Sequence, residues 1–377
     1  MKKKLGIVLA MLLLLMVSLS GCGSANSKGD SDPKETNDSG KQATSDSDNQ
    51  TAAEEKKWKV ALSNSFVGND YRQEMQKIAQ YVAESDKYKD QVQLDIINCE
   101  NTAEAQAASI DALVLQGYDA ILIDASSPTA LNGAISRAAA KGIIVISFDQ
   151  IVTAPEAIKL GTDFGEVSRK MAEYLVAAIG GKGNIVVDRG LAGANGSRPM
   201  YDEPMKVFAE YPDIKVIAEF DGNYSQGDTL TAMNAIVAAN PKIDAVYTQG
   251  YADSAIQALK SAGRPLVPVS GFLYNCSMLA LAENDCDGIQ ILNPASLGAT
   301  AMVMALNELN GVETYDRTEQ IPATYEIYAM NPDTVDLGMT VKQIELNENA
   351  FPDMPSGFQM PFMDPIVGVD VPLDIFK

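Results

Sequence analysis

The 377-residue chain contains no histidine, one tryptophan and four cysteines, and its 29 basic side chains are outnumbered by 50 acidic ones. Each shortage excludes something. Without imidazole no Ser-His-Asp or Cys-His nucleophile can be assembled, no HExxH metal site exists, and no histidine can act as general base near neutral pH. A formal net charge of −21 leaves too few clustered Lys and Arg to hold phosphates, so nucleic acid is not an expected partner. It also disfavours adhesion to an anionic membrane surface. GxSxG and GxxxxGK[ST] are absent, and Gly190, Gly193 and Gly196 have the wrong spacing for GxGxxG. No cofactor and no metal is expected.

The N-terminus reads as an address and a tether. Lys2, Lys3 and Lys4 precede an apolar run over residues 5–17, too short for a stable membrane span and matching a secretory signal. Leu19-Ser20-Gly21-Cys22 resembles a bacterial lipoprotein box, which implies cleavage after residue 21 and acylation of Cys22. Two or three acyl chains would hold the protein on a lipid bilayer. Loss of that leader leaves 26 basic and 50 acidic side chains, a net charge of −24. Residues 23–57 then contain no Ile, Leu, Val, Met, Phe, Tyr or Trp, so nothing offsets the entropy of ordering them. Residues 22–57 are expected to form a lipidated, disordered stalk. Its length suggests the extracellular face of a Gram-positive cell membrane.

From Trp58 onward short β-rich runs alternate with helical periodicity, the pattern of βαβ units and a parallel sheet. Strands are expected at 59–63, 93–97, 120–124, 143–148 and 157–161, then at 184–188, 215–220, 245–248, 266–270 and 288–292. Thr102 can cap a helix over 103–116 with Gly117 as its stop, and Asp163 one over 165–179 closed by Gly180-Gly181. Ser127-Pro128 can open another that ends at Lys141-Gly142. About 320 ordered residues exceed one core, and the strands fall into two blocks, 58–162 and 163–293. An amphipathic helix follows over 294–311, and a proline-rich C-terminal segment reads as an extended wrap. Cys99 reads as a buried thiol. Cys276 and Cys286 flank a helix of about eight residues, whose rise of roughly 12 Å exceeds the ~7 Å that a disulfide tolerates.

Ligands of open α/β sheets sit beyond the carboxyl ends of the strands. Those ends carry Asn69, Tyr71 and Arg72 after the first strand, Asp124 after the third and Asp149-Gln150 after the fourth. In the second block they carry Asp188 to Arg198, Asp221 to Tyr224, Gln249 to Asp253, Phe272 to Asn275, and Asn293. Amides, carboxylates, arginines and aromatic faces together suit a small polyhydroxylated ligand. The plain alternative is that Asn, Asp and Ser after strands are turn formers and caps. That reading is preferred for Ser65 and Asn223 and is even for Asp124, whereas Asp149, after an unbroken apolar strand, is read as a contact. Arg72 and Arg198 have the alternative of interdomain ion pairs.

At these residues the sequence resembles the sugar-binding type I periplasmic binding proteins, solute receptors of ABC importers. The likeness runs from about Lys59 to Gly311. It is carried by Leu62-Ser63-Asn64-Ser65 to Asn69-Asp70-Tyr71-Arg72, by Val145-Ile146-Ser147-Phe148-Asp149, and by Asn293-Pro294 to Leu297-Gly298. The resemblance implies two Rossmann-like lobes with parallel sheets flanked by helices, joined by three crossings and closing on a ligand in the cleft between them. It divides the chain into an N-terminal lobe (58–162 plus 294–317), a C-terminal lobe (163–293 plus 318–330) and an extension (331–377). It implies sugar contacts at Asn69 and Tyr71, and at Asp149, which would accept from two hydroxyls. It also implies contacts within Gln249 to Asp253 and within Phe272 to Asn275, with Asn293 at the hinge. Departures are Gln150, where ribose-type members have arginine, an arginine matched only approximately by Arg198, and a later aspartate replaced within 271–275.

The expected function is capture of one small neutral carbohydrate, by a monomer, for delivery to a membrane permease and its ATPase. Alternatives are a surface sensor of a sugar or an autoinducer-like ligand that signals to a kinase, and a receptor for a nucleoside. More remote are a two-carboxylate glycosidase and the effector domain of a sugar-responsive repressor.

Overall fold

The computed structural model describes residues 57–377 apart from 193, 195 and 292. The expected leader, Cys22 and all of the stalk but its last residue lie outside the described residues. Five strands open the fold: β1 (Trp58–Asn64), β2 (Val92–Asn98), β3 (Ala120–Asp124), β4 (Ile144–Phe148) and β5 (Ile158–Gly161). Five more follow: β6 (Gly183–Asp188), β7 (Ile214–Phe220), β8 (Ala245–Tyr247), β9 (Val269–Phe272) and β10 (Gly288–Ile291). Short strands β11 (Gln320–Pro322), β12 (Ile327–Ala329) and β13 (Val341–Gln343) complete the set. The first sheet has the order β11-β5-β4-β3-β1-β2 and the second β13-β12-β10-β9-β8-β6-β7. Both are parallel except where β12 runs antiparallel to β10. Ile121, Leu122 and Ile123 are buried on both faces of β3, as a parallel sheet covered by helices on two sides requires.

Local signals set the helices. Thr102 Oγ1 accepts from the Ala105 N–H ahead of the helix Ala103–Leu115, and Asp163 from the Glu166 N–H ahead of Phe164–Ala178. Ser127 does not open a helix. Its hydroxyl accepts from the N–H groups of Thr129 and Ala130, closing a turn, and the helix begins at Asn132. β9 starts later than expected because Pro268 has no N–H to give a central strand.

The division into lobes also differs from the expected one. β11 stays with the first sheet, paired to β5, with Gln320 Nε2 and the Ala323 N–H both on the Gly161 carbonyl. The return to the second lobe therefore comes after Pro322. The C-terminal segment is built into both lobes. β13 extends the second sheet, Ile344 and Ala350 join the second lobe's core, and Met354, Phe358, Val367, Val371 and Phe376 join the first lobe's. The chain thus passes between the lobes four times, one more than the resemblance implies. Cys99 is half-buried, and Cys99, Cys276 and Cys286 are unpaired.

Candidate ligand cleft

The strand ends of both lobes converge on a cavity of about 100 Å³. The first lobe lines it with Asn69, Tyr71, Arg72, Asp149 and Gln150, the second with Phe164, Gly196, Tyr224, Phe272 and Tyr274. The hinge contributes Asn293 and the C-terminal segment Gln359.

On the first-lobe wall the polar groups hold one another. Asn69 caps the helix Asp70–Glu84, its Oδ1 accepting from the Arg72 N–H at 2.9 Å. That helix start turns Arg72 inward, where its guanidinium donates to Asn64 Oδ1 at 2.6 Å and Ser65 Oγ at 2.9 Å and pairs with Asp124 at 2.7 Å. Its other terminal nitrogen lies 4.0 Å from Asp149 Oδ2, and the Phe66 ring covers it with the centroid at 5.0 Å. Burial pushes the Asp124 carboxyl up, opposed by Arg72 and reinforced by Asp149. Asp149 leaves β4 with φ of 55°, a left-handed turn that Asp tolerates better than most residues. It receives Gln150 Nε2 at 3.3 Å and Asn293 Nδ2 at 3.1 Å. The buried Tyr71 hydroxyl has no well-formed hydrogen bond within the protein. Burial, then the Asp149 and Asp124 carboxylates, push its pKa well up, so it stays a neutral donor and acceptor.

The second-lobe wall is aromatic. Phe164 and Phe272 meet edge to face with centroids 6.5 Å apart, and Tyr274 stacks on Tyr251 at 4.6 Å. Tyr224, itself at positive φ, shares a 2.7 Å hydrogen bond with Ser197. Behind it Asp188 accepts from the N–H groups of Gly190, Gly222 and Gln249. A Cβ on Gly222 would fall 2.4 Å from Asp188 Oδ2, so glycine is required for that approach.

Four residues read from the sequence as contacts do not line the cavity. Gln249 is fully buried behind it, donating to the carbonyls of Asp188 and Ser197, and so braces Tyr224 and Ser197. Asp253 accepts from Gln226 and Ser277 one layer back. Asn275 is spent on the C-terminal segment, donating to the carbonyls of Phe351, Met354 and Pro355 and accepting from the Phe351 N–H. Arg198 is exposed and paired with Asp202 along its own helix. Gln150, Phe164, Gly196, Tyr224, Tyr274 and Gln359 line the cavity without having been singled out as contacts. Gln150, Gly196, Tyr224 and Tyr274 stood in the loops already considered, whereas nothing local marks Phe164 or Gln359. Among the described residues no group of acidic or thiol side chains is placed to hold a metal ion.

Two α/β lobes thus carry a small polar and aromatic cavity between their strand ends. The chain belongs to the periplasmic binding protein family, whose domain matches residues 60–313, and within it to the sugar-binding type I proteins. It is 33% identical to the xylitol-binding protein of Mycolicibacterium smegmatis over 175 residues, 45% of this chain and 50% of that one. It is 26% identical to the ribose import binding protein of Escherichia coli over 291 residues, 75% of this chain and 90% of the relative. An ABC transporter solute-binding protein from Thermobispora bispora matches with a TM-score of 0.63 and 30% identity, covering 71% of this chain and 84% of that structure.

Proposed function

We propose that the protein is a non-enzymatic surface receptor that captures one small neutral polyhydroxylated molecule, a pentose, hexose or polyol, for an ABC permease and its ATPase. The observation that carries this is the composition of the cavity. One wall offers a carboxylate, amides and a buried neutral phenol, and the other offers aromatic faces. Vicinal hydroxyls pair with the first and C–H faces pack on the second. The buried guanidinium of Arg72 is already matched by Asp124 and Asp149, so no free positive charge awaits an anionic ligand. The names of the relatives, which handle xylitol and ribose, support the same class. A ligand touching both walls favours the closed arrangement, because only there are both sets of contacts made.

Cys22 is proposed to anchor the chain in the outer leaflet of the cell membrane. Thermal-shift measurement against pentoses, hexoses, polyols and nucleosides tests the ligand class. Stabilisation by a sugar or polyol supports it, and a response to nucleosides alone overturns it. Release of a Cys22→Ser protein from the membrane fraction tests the anchor, and full retention argues against it.

A further inference from the structure

The C-terminal segment lies beyond the family match, which ends at residue 313, yet it reaches the cavity. A single peptide unit ties it to both lobes. The Phe358 carbonyl accepts from the Asn275 N–H of the second lobe at 2.7 Å. The N–H of Gln359, in the same peptide, donates to both carboxylate oxygens of Glu74 in the first lobe at 3.1 and 3.2 Å. Phe358 is anchored between the rings of Phe351 and Phe376. Gly357 presses on Asp70 so closely that a Cβ would fall 1.6 Å from Oδ2. The register of Gln359 is therefore fixed from both sides.

Gln359 is 3% exposed, lines the cavity, and ends in an Oε1 with no hydrogen-bond partner. An orphaned buried acceptor carries a desolvation cost that a ligand donor can relieve. We propose that Gln359 is a specificity-determining contact, its Oε1 accepting a hydrogen bond from one hydroxyl of the bound polyol. The Tyr71 hydroxyl, beside the Asp149 carboxylate, lines the same cavity, so the ligand meets an acceptor on the segment and a hydroxyl on the first lobe together. The proposal rests on the polyol reading above.

Calorimetry on the full-length protein, with xylitol, D-ribose and their stereoisomers as probes, tests it. Gln359→Leu is expected to weaken the best probe at least tenfold while the melting temperature without ligand is unchanged or raised. Among deoxygenated analogues of that probe, one should lose as much affinity for the wild-type protein as the substitution costs. Combining the two changes should cost no more. Gln359→Asn, which withdraws the amide by one methylene, should show the same loss and serves if the leucine variant does not fold. Affinity within twofold of wild type in either folded variant overturns the role of Gln359 alone. A wild-type protein that binds none of the probes overturns the polyol reading and this inference with it.

Discussion

Asn293 donates from Nδ2 to Asp149 Oδ1 at 3.1 Å while its own Oδ1 accepts from the Thr162 hydroxyl at 2.7 Å. Thr162 stands where the chain leaves the first lobe and Asn293 where it returns. One amide therefore joins two hinge segments to the carboxylate at the mouth of β4. Under the proposed function, ligand hydroxyls that engage Asp149 would act on a group already joined to both interlobe segments.

Asp149→Ala is expected to reduce ligand affinity at least a hundredfold with the circular dichroism spectrum retained. An alanine at the positive φ of this position adds a stability loss of about 1–2 kcal/mol. Unchanged affinity in titration calorimetry would show that the carboxylate is not a contact.

Arg72→Met should be harsher on the fold than on recognition. It removes the cation that lies between Asp124 and Asp149 and leaves a fully buried carboxylate without its partner, a change that costs roughly 3–5 kcal/mol. The check is the urea midpoint of the ligand-free protein. A shift corresponding to less than about 1 kcal/mol would mean that Asp124 takes up a proton at little cost.

Asn275→Ala should act like cutting a seam. Three carbonyls and one N–H of residues 351–355 lose their partner at once, with an expected loss of about 2–4 kcal/mol. Limited proteolysis should then cut within 344–360 before it cuts either sheet. Protection equal to wild type would assign the docking of the segment to its apolar side chains alone.

Burial pushes the Glu74 carboxyl up to about 8, with the Gln359 N–H pulling it down, Asp70 adding to the rise and Lys77 opposing it. The unfolded chain binds this proton only below roughly pH 4.3. The folded state thus holds the extra proton between these values, and the stability it contributes is complete below the lower one and is lost as pH rises through 8. Melting temperature should fall between pH 6 and pH 9 in the wild-type protein and fall less steeply in Glu74→Gln. Parallel curves would refute the assignment, since the other raised carboxyls, Asp124 and Asp188, are common to both proteins.

The periodic and punctuated parts of the fold were legible in the sequence. The caps at Thr102 and Asp163 and the β3 strand act through neighbours within four residues, so local pattern carries their position. Tyr71, Asp149 and Phe272 were legible as cavity residues for a related reason, because strand ends in a parallel sheet all face one way. Asn275 misled because an amide at a helix start looks the same whether it meets a sugar or a carbonyl 76 to 80 positions downstream. Gln359 was invisible because its placement depends on Glu74, 285 positions earlier. No spacing rule reaches that far.

The first lobe's core also bears on the order of synthesis. It contains Phe376, with Trp58 packed against it, so residues from opposite ends of the described chain complete the same apolar interior. Before residues 354–376 are synthesised, the second lobe's five central strands are already made but the first lobe still lacks part of its core. The N-terminal lobe is thus the later of the two to have all of these core residues synthesised.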